Sequence, residues 1–267
     1  MRQKGFSRSL RGVADRVLNK LLPNWVGDEF LCPVCETGLS LFSPLPPYYL
    51  RELDRNEFVH SIFQSETLNL EHYGCPKCGA SDRDRLYALY FRERIKPGRK
   101  YKMLDIAPAP ALEDFFRKFP GLEHRSADLM MESVDDRVDV TDMNIYEDGM
   151  FDILLCSHVL EHIPEDRKAI RELYRVLCPG GWGIVMVPVM LSLEKTHEDP
   201  SITDPRLRWK YYGQDDHVRM YAKRDFVDRL EEAGFGVEQL GIDHFGAEAF
   251  ALHGIHSRSV LYVVHKR

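Results

Sequence analysis

The sequence predicts an α/β protein built on a mostly parallel sheet, with a small cysteine-bound module ahead of it. Three observations carry that expectation. Strand and helix patterns alternate from Tyr101 to Val187, as in a parallel sheet covered on both faces. Within that run, Lys102-Met-Leu-Asp-Ile-Ala107 reads as a buried strand ending in a carboxylate, which suits a ligand at the strand's C-terminal edge. Upstream stand two Cys-x-x-Cys pairs, Cys32 with Cys35 and Cys75 with Cys78, a spacing at which thiolates hold a tetrahedral zinc ion.

Taken in order, residues 1–30 place Leu10, Val13, Val17 and Leu21 at helical spacing among Arg2, Lys4, Arg8, Arg11, Arg16 and Lys20. This predicts an amphipathic helix that docks its apolar stripe on the rest of the protein, with a membrane-surface or RNA-contacting helix as the other reading. Residues 31–98 read as a zinc-ribbon-like module with a turn cluster at 44–49, closed by a bridging helix. That helix starts at Ser81, has Leu86, Leu89, Tyr90 and Phe91 as its apolar set, and stops at Pro97-Gly98. Four thiolates close a zinc shell, so the expected ion is structural.

Residues 99–267 form the main domain. Strands are expected at 101–106, 123–128, 138–140, 151–157 and 183–187, with helices at 112–119 and 164–177. The second helix carries Ile170, Leu173, Tyr174 and Leu177 on one face and Gly180-Gly181 beyond its end. Residues 188–223 lose this rhythm and read as a long functional loop. A helix at 225–233 and strands at 237–242 and 259–264 follow, the last two as an antiparallel edge pair.

The chain has 267 residues, 44% hydrophobic and 29% charged, which excludes a disordered or fibrous protein. A net charge of −6 argues against wrapping nucleic acid by global electrostatics. No stretch reaches the roughly 18–20 apolar residues of a membrane span, and the start of the chain lacks the apolar run of a secretory signal, so a cytoplasmic location is expected. Cys156 and Cys178 fall in apolar or helical pattern and read as core.

From residue 100 onward, the ordered motifs Leu104-Asp-Ile-Ala-Pro-Ala109, Ser126-Ala-Asp128, Asp139-Val140 and Phe151-Asp-Ile-Leu-Leu-Cys-Ser-His-Val-Leu-Glu-His-Ile163 resemble the class I S-adenosylmethionine-dependent methyltransferases. The resemblance implies a Rossmann-like sheet with an antiparallel last strand. It implies Asp105, with Ala107 in the following loop, for the amino group of the methionine moiety. Asp128, with Leu129 beside it, is implied for the ribose hydroxyls, and Asp139 with Val140 for adenine, Asp142 being a substitute. Ser157 and His158 are implied to face the sulfonium. Ala107, Pro108, Ala109 and Pro110 stand where the family carries glycines, so this loop lacks glycine's freedom.

Methyl transfer to a hydroxyl requires removal of its proton, so a positioned base is expected nearby. The 188–223 loop offers His217 as base with Asp216 to orient it, His158 being a further candidate. His197, Glu198, Gln214 and Arg219 are available for the acceptor. Alternatively, His197, Glu198, Asp199 and Asp216 could ligate a divalent cation that lowers the acceptor's pKa. Glu161 and His162 read as residues that order their loop. The leading expectation is O-methylation of a small polar acceptor, a sugar or glycan precursor being preferred by analogy. The alternatives are an RNA methyltransferase stacking bases on Trp209, Tyr211 and Tyr212, and a scaffold that has lost its cofactor. The oligomeric state is left open.

Overall fold

The computed structural model describes residues 25–267, so most of the helix expected over 1–30 lies outside the described residues. The end of that segment is already sheet. Strand β1 (Val26–Cys32) pairs antiparallel with β2 (Thr37–Leu39), and the first cysteine pair flanks their turn. Each pair closes in the same way: Glu36 and Gly79, both at positive φ, return an N–H to the carbonyl of Cys32 and of Cys75 at 2.8 Å. The proline-rich stretch at 44–49 is not only a turn, because helix α1 (Pro47–Arg55) begins inside it. Pro47 sits in the first helical turn, where a missing N–H leaves no intrahelical bond unmade.

Helix α2 (Asp82–Arg94) starts where the sequence placed it. Ser81 and Asp84 form a capping box, each side chain accepting the other's backbone N–H. Its Arg85 is fully buried and donates to five backbone carbonyls: His253 (2.7 Å), Tyr73 and Ala80 (both 3.1 Å), Gly254 (3.0 Å) and His72. The guanidinium also lies 3.8 Å from the centroid of the Phe42 ring. One side chain thereby ties the cysteine-bearing segment to the C-terminal part of the chain.

The remainder runs β3 (Tyr101–Ile106), α3 (Pro110–Phe116), β4 (Leu122–Asp128), β5 (Asp136–Arg137), β6 (Phe151–Ser157), α4 (Asp166–Val176) and β7 (Leu177–Met186). It continues with β8 (His197–Glu198), α5 (Pro205–Tyr212), β9 (Arg219–Met220), α6 (Lys223–Glu232), β10 (Gly236–Leu240), α7 (Ile242–Phe245), α8 (Ala247–Leu252) and β11 (Leu261–His265). Seven strands make one sheet in the order β10-β11-β7-β6-β3-β4-β5. The sheet is parallel from β7 to β5, and β11 is antiparallel to both of its neighbours. The expected mixed sheet with an antiparallel last strand is therefore present.

Two expectations change. The strand at 138–140 is displaced to Asp136–Arg137, because Asp139 accepts from Thr141 N at 2.8 Å and turns the chain there. The 188–223 stretch is not structureless, since it contains β8, α5 and β9. The final two strands do form the expected antiparallel edge pair: β10 is the edge strand and β11 lies between it and β7, which fits its four fully buried residues Leu261, Tyr262, Val263 and Val264. A single buried core joins Cys32, Val34, Leu39 and Phe42 to α2 and the sheet.

Candidate active site

Chain direction across the sheet reverses beside β3. From β3 the chain moves outward to β4 and β5, then returns to β6 and β7 on the other side, which opens a crevice at the carboxyl ends of β3 and β6. The residues just past these two strands, Ala107 (φ 54°) and His158 (φ 56°), both adopt left-handed backbone. Strain of this kind in non-glycine residues concentrates at functional positions.

Around the crevice, Asp105 is buried with Oδ2 3.0 Å from Nε2 of His124, whose ring stacks on Phe116. Burial pushes the Asp105 carboxyl up, against the opposing pull of His124. Asp128 ends β4 and uses Oδ1 to accept from Met130 N (2.6 Å) and Met131 N (2.7 Å), so Oδ2 carries neither turn bond. Leu129 and Met130 beside it are exposed, whereas Val140 is buried. Ser157 Oγ lies 2.8 Å from the hydroxyl of Tyr87, which reaches over from α2. Tyr87 lies outside the apolar set that the sequence marks on this helix, Leu86, Leu89, Tyr90 and Phe91, so no pattern singles it out.

Next to this crevice opens a cavity of about 860 Å³, walled by residues 45–73 on one side and by the strand tips and residues 212–220 on the other. His158, Glu161, His162 and His217 line it, with Arg83 and Gln214 also facing in. His217 is 2% exposed; its Nδ1–H donates to the carbonyl of Tyr212 at 3.0 Å, leaving Nε2 buried without a partner among the described residues. Burial pushes its pKa down to about 4, so the ring is neutral at pH 7. Asp216 does not orient this ring: it is 64% exposed and stands 3.4 Å from Nδ1 of His162. The backbone carbonyl of Tyr212 does that work, and a carbonyl partner cannot be read from residue types.

The other loop candidates do not meet at the cavity. Arg219 is buried and donates to the carbonyls of Leu160 (2.8 Å), Ile163 and Pro164 (2.9 Å) and to Glu198 Oε2 (2.8 Å). Glu198 also takes Arg229 at 2.7 Å, and the two arginines outweigh the effect of burial to hold its carboxyl low. Arg219 and Glu198 are thus positioning residues that clamp the loop bearing Glu161 and His162. The His197 ring packs on Tyr211 and Tyr212, and Asp199 is an exposed turn acceptor for Ser201. His197, Glu198, Asp199 and Asp216 therefore form no common cation site. Trp209 and Tyr212 are buried, which removes them as stacking platforms for a nucleic-acid base.

At the module, the four cysteine sulfurs lie within 4.8 Å of one another, with Cys32–Cys78 and Cys35–Cys75 each at 3.8 Å. Ligand bonds of about 2.3 Å in a regular tetrahedron give sulfur–sulfur edges of about 3.8 Å, so the donor set fits one zinc ion. All four are free thiols rather than disulfides.

Residues 123–185, which span β4 to β7, match the family model described as a methyltransferase domain. The sheet order with its antiparallel β11 is that of a class I methyltransferase fold. A protein of Mycolicibacterium smegmatis, named a probable S-adenosylmethionine-dependent methyltransferase, is 28% identical to it over 159 residues, covering 57% of each chain. The ubiquinone/menaquinone biosynthesis C-methyltransferase UbiE of Brucella anthropi is 32% identical over 123 residues, or 40% of this chain and 45% of that protein. The chain spans about half the length of these curated relatives. Among solved structures, a SAM-dependent methyltransferase from Archaeoglobus fulgidus aligns with a TM-score of 0.43 at 16% identity, covering 68% of this chain and 90% of that one. The matched segment of the methyltransferase domain contains Asp128, Asp139, Ser157, His158, Glu161 and His162. No helix among the described residues is long and apolar enough to cross a membrane.

Proposed function

We propose that this protein transfers the methyl group of S-adenosylmethionine to a hydroxyl of a small polar acceptor, a sugar or glycan precursor being the preferred class. The observation that carries the reading is the juxtaposition of the β3/β6 crevice with a cavity of about 860 Å³, a volume suited to a small molecule. When bound, S-adenosylmethionine supplies an electrophilic methyl on a positively charged sulfur. Asp105 and Asp128 would hold its amino and ribose groups, Leu129 and Val140 would flank adenine with Asp139 at the exocyclic amine, and Ser157 and His158 would border the sulfonium. The acceptor's C–O bond forms as the methyl–sulfur bond breaks, and the hydroxyl proton must leave in the same step. Nε2 of His217 and Oε2 of Glu161 are acceptor atoms at the cavity without a hydrogen-bond partner among the described residues. Gln214 and Arg83 would bind polar groups of the acceptor, with Phe58 and Tyr48 against its carbon face. The four cysteines would hold zinc as a structural ion.

Calorimetry with S-adenosylmethionine tests the cofactor half. Asp128→Asn removes a charged acceptor of ribose hydrogen bonds worth about 1.5–3 kcal/mol, so affinity should fall about 10- to 150-fold. Wild-type affinity in folded Asp105→Asn and Asp128→Asn proteins would refute the assignment. Tritiated methyl transfer into a cell extract, separated into small molecules, glycans, RNA and protein, identifies the acceptor class. Label confined to RNA or protein would overturn the small-molecule reading.

A further inference from the structure

We infer that Glu161, His162 and His217 bind a divalent first-row transition-metal cation at the cavity. This deepens the proposed function and rests on reading the cavity as the acceptor site.

One donor atom from each of the three residues lies within 4.8 Å of the other two. Ligand bonds of about 2.0–2.2 Å set tetrahedral donors about 3.3–3.6 Å apart, so side-chain rotations that draw the donors together by about an ångström bring all three onto one ion. Two of the donors are buried. Glu161 is 0% exposed; its Oε1 lies 3.2 Å from Nδ1 of His158, and Oε2 has no hydrogen-bond partner among the described residues. A buried carboxylate costs several kcal/mol, and a cation among its neighbours offsets that cost. His217 has Nδ1 committed to the Tyr212 carbonyl, the arrangement that fixes the tautomer of a metal-ligating histidine and turns its Nε2 lone pair outward.

The surrounding structure holds these donors in place before any ion arrives. Val218 N donates to the Glu161 carbonyl at 2.8 Å, joining the two donor-bearing loops. Arg219 fastens the carbonyls on either side of Glu161 and His162. The His162 and His217 rings meet edge to face at 4.7 Å. Two imidazoles and one carboxylate form a donor set for zinc, cobalt, iron or manganese that leaves coordination positions open, here toward the cavity. An acceptor hydroxyl in an open position would lose its proton to solvent more readily, and the resulting alkoxide would take the methyl as the carbon–sulfur bond breaks. His217 then serves as a ligand, and the cation replaces a protein base.

The test is a Co2+ titration of the full-length protein with Zn2+ already bound at its cysteines, in the absence of S-adenosylmethionine. One further equivalent of Co2+ is expected, with the weak visible absorption of nitrogen and oxygen ligation and no thiolate charge-transfer band. Glu161→Gln and His217→Ala should each weaken uptake at least about tenfold, whereas Asp199→Asn should leave it unchanged. Melting curves report whether the variants fold, and His162→Gln, on a partly exposed ring, gives the same reading if one does not. No Co2+ bound beyond the thiolate site, or equal affinity in folded Glu161→Gln and His217→Ala, overturns the site. S-Adenosylmethionine calorimetry on the same preparation separates the two ideas. Cofactor binding without Co2+ uptake removes the cation alone, and Co2+ uptake without cofactor binding removes the methyl-transfer reading.

Discussion

Replacing Arg85 with methionine tests how the cavity wall is held. The substitution keeps an unbranched apolar stem but removes every donor that reaches the carbonyls of His72, Tyr73, Ala80, His253 and Gly254. The bonds to Ala80, His253 and Gly254 are buried. The Ala80 carbonyl keeps the N–H of Cys75 at 2.8 Å and the Gly254 carbonyl keeps the Asn69 amide at 3.0 Å, so the His253 carbonyl is the buried acceptor left without a donor. An unsatisfied buried acceptor costs about 1–3 kcal/mol, so a loss of about that size is expected. Against a domain stability of about 5–15 kcal/mol this is a measurable fraction. Urea unfolding followed by tryptophan fluorescence measures it. Arg85→Lys, with three donors, should lose less than Arg85→Met and provides the measurement if the methionine variant does not fold. An Arg85→Met protein as stable as wild type would show that the His253 carbonyl finds another partner and that the wall stands without the clamp.

Three further outcomes follow from the same structure. Stripping one equivalent of zinc with a chelator should lower the melting midpoint of the whole chain, because Cys32 and Cys75 share a core with the sheet; an unchanged midpoint would contradict that coupling. Ala107→Gly should leave stability unchanged or raise it by up to about 1 kcal/mol. Relief of about 1–2 kcal/mol of left-handed strain outweighs the entropy that glycine adds to the unfolded chain, and a loss above about 1 kcal/mol would count against the strain. Arg125 first, and Tyr146 at 2.7 Å as well, hold the Asp136 carboxyl below its ordinary 3.8. Its folded pKa is depressed, so its stabilisation is present above pH 3.8 and is lost as pH falls through the lower folded value. Asp136→Asn should flatten the acid limb of the stability curve, and identical acid limbs in the two proteins would remove the pair from the account.

The sequence by itself determined the fold class, the order of the alternating elements, the cysteine pairing by spacing, and which strand ends carry acids. These are local properties: a period of two or 3.6, a carboxylate before a turn, two thiols one knuckle apart. It misjudged two segments that begin with proline, since the turn cluster at 44–49 and the loop at 188–223 contain Pro47 and Pro205, which open α1 and α5. Tertiary structure alone decided what the 188–223 residues do. Glu198 and Arg219 were as plausible for the acceptor as Gln214 until the chain folded, because the same side chains can face a cavity or a clamp. Whether Glu161 only orders its loop or also offers an oxygen to the cavity depends on His217 and Arg219, which arrive from more than fifty residues away. The location of its neighbour His217 was fixed by a backbone carbonyl and a buried arginine, interactions that leave no trace in composition or spacing.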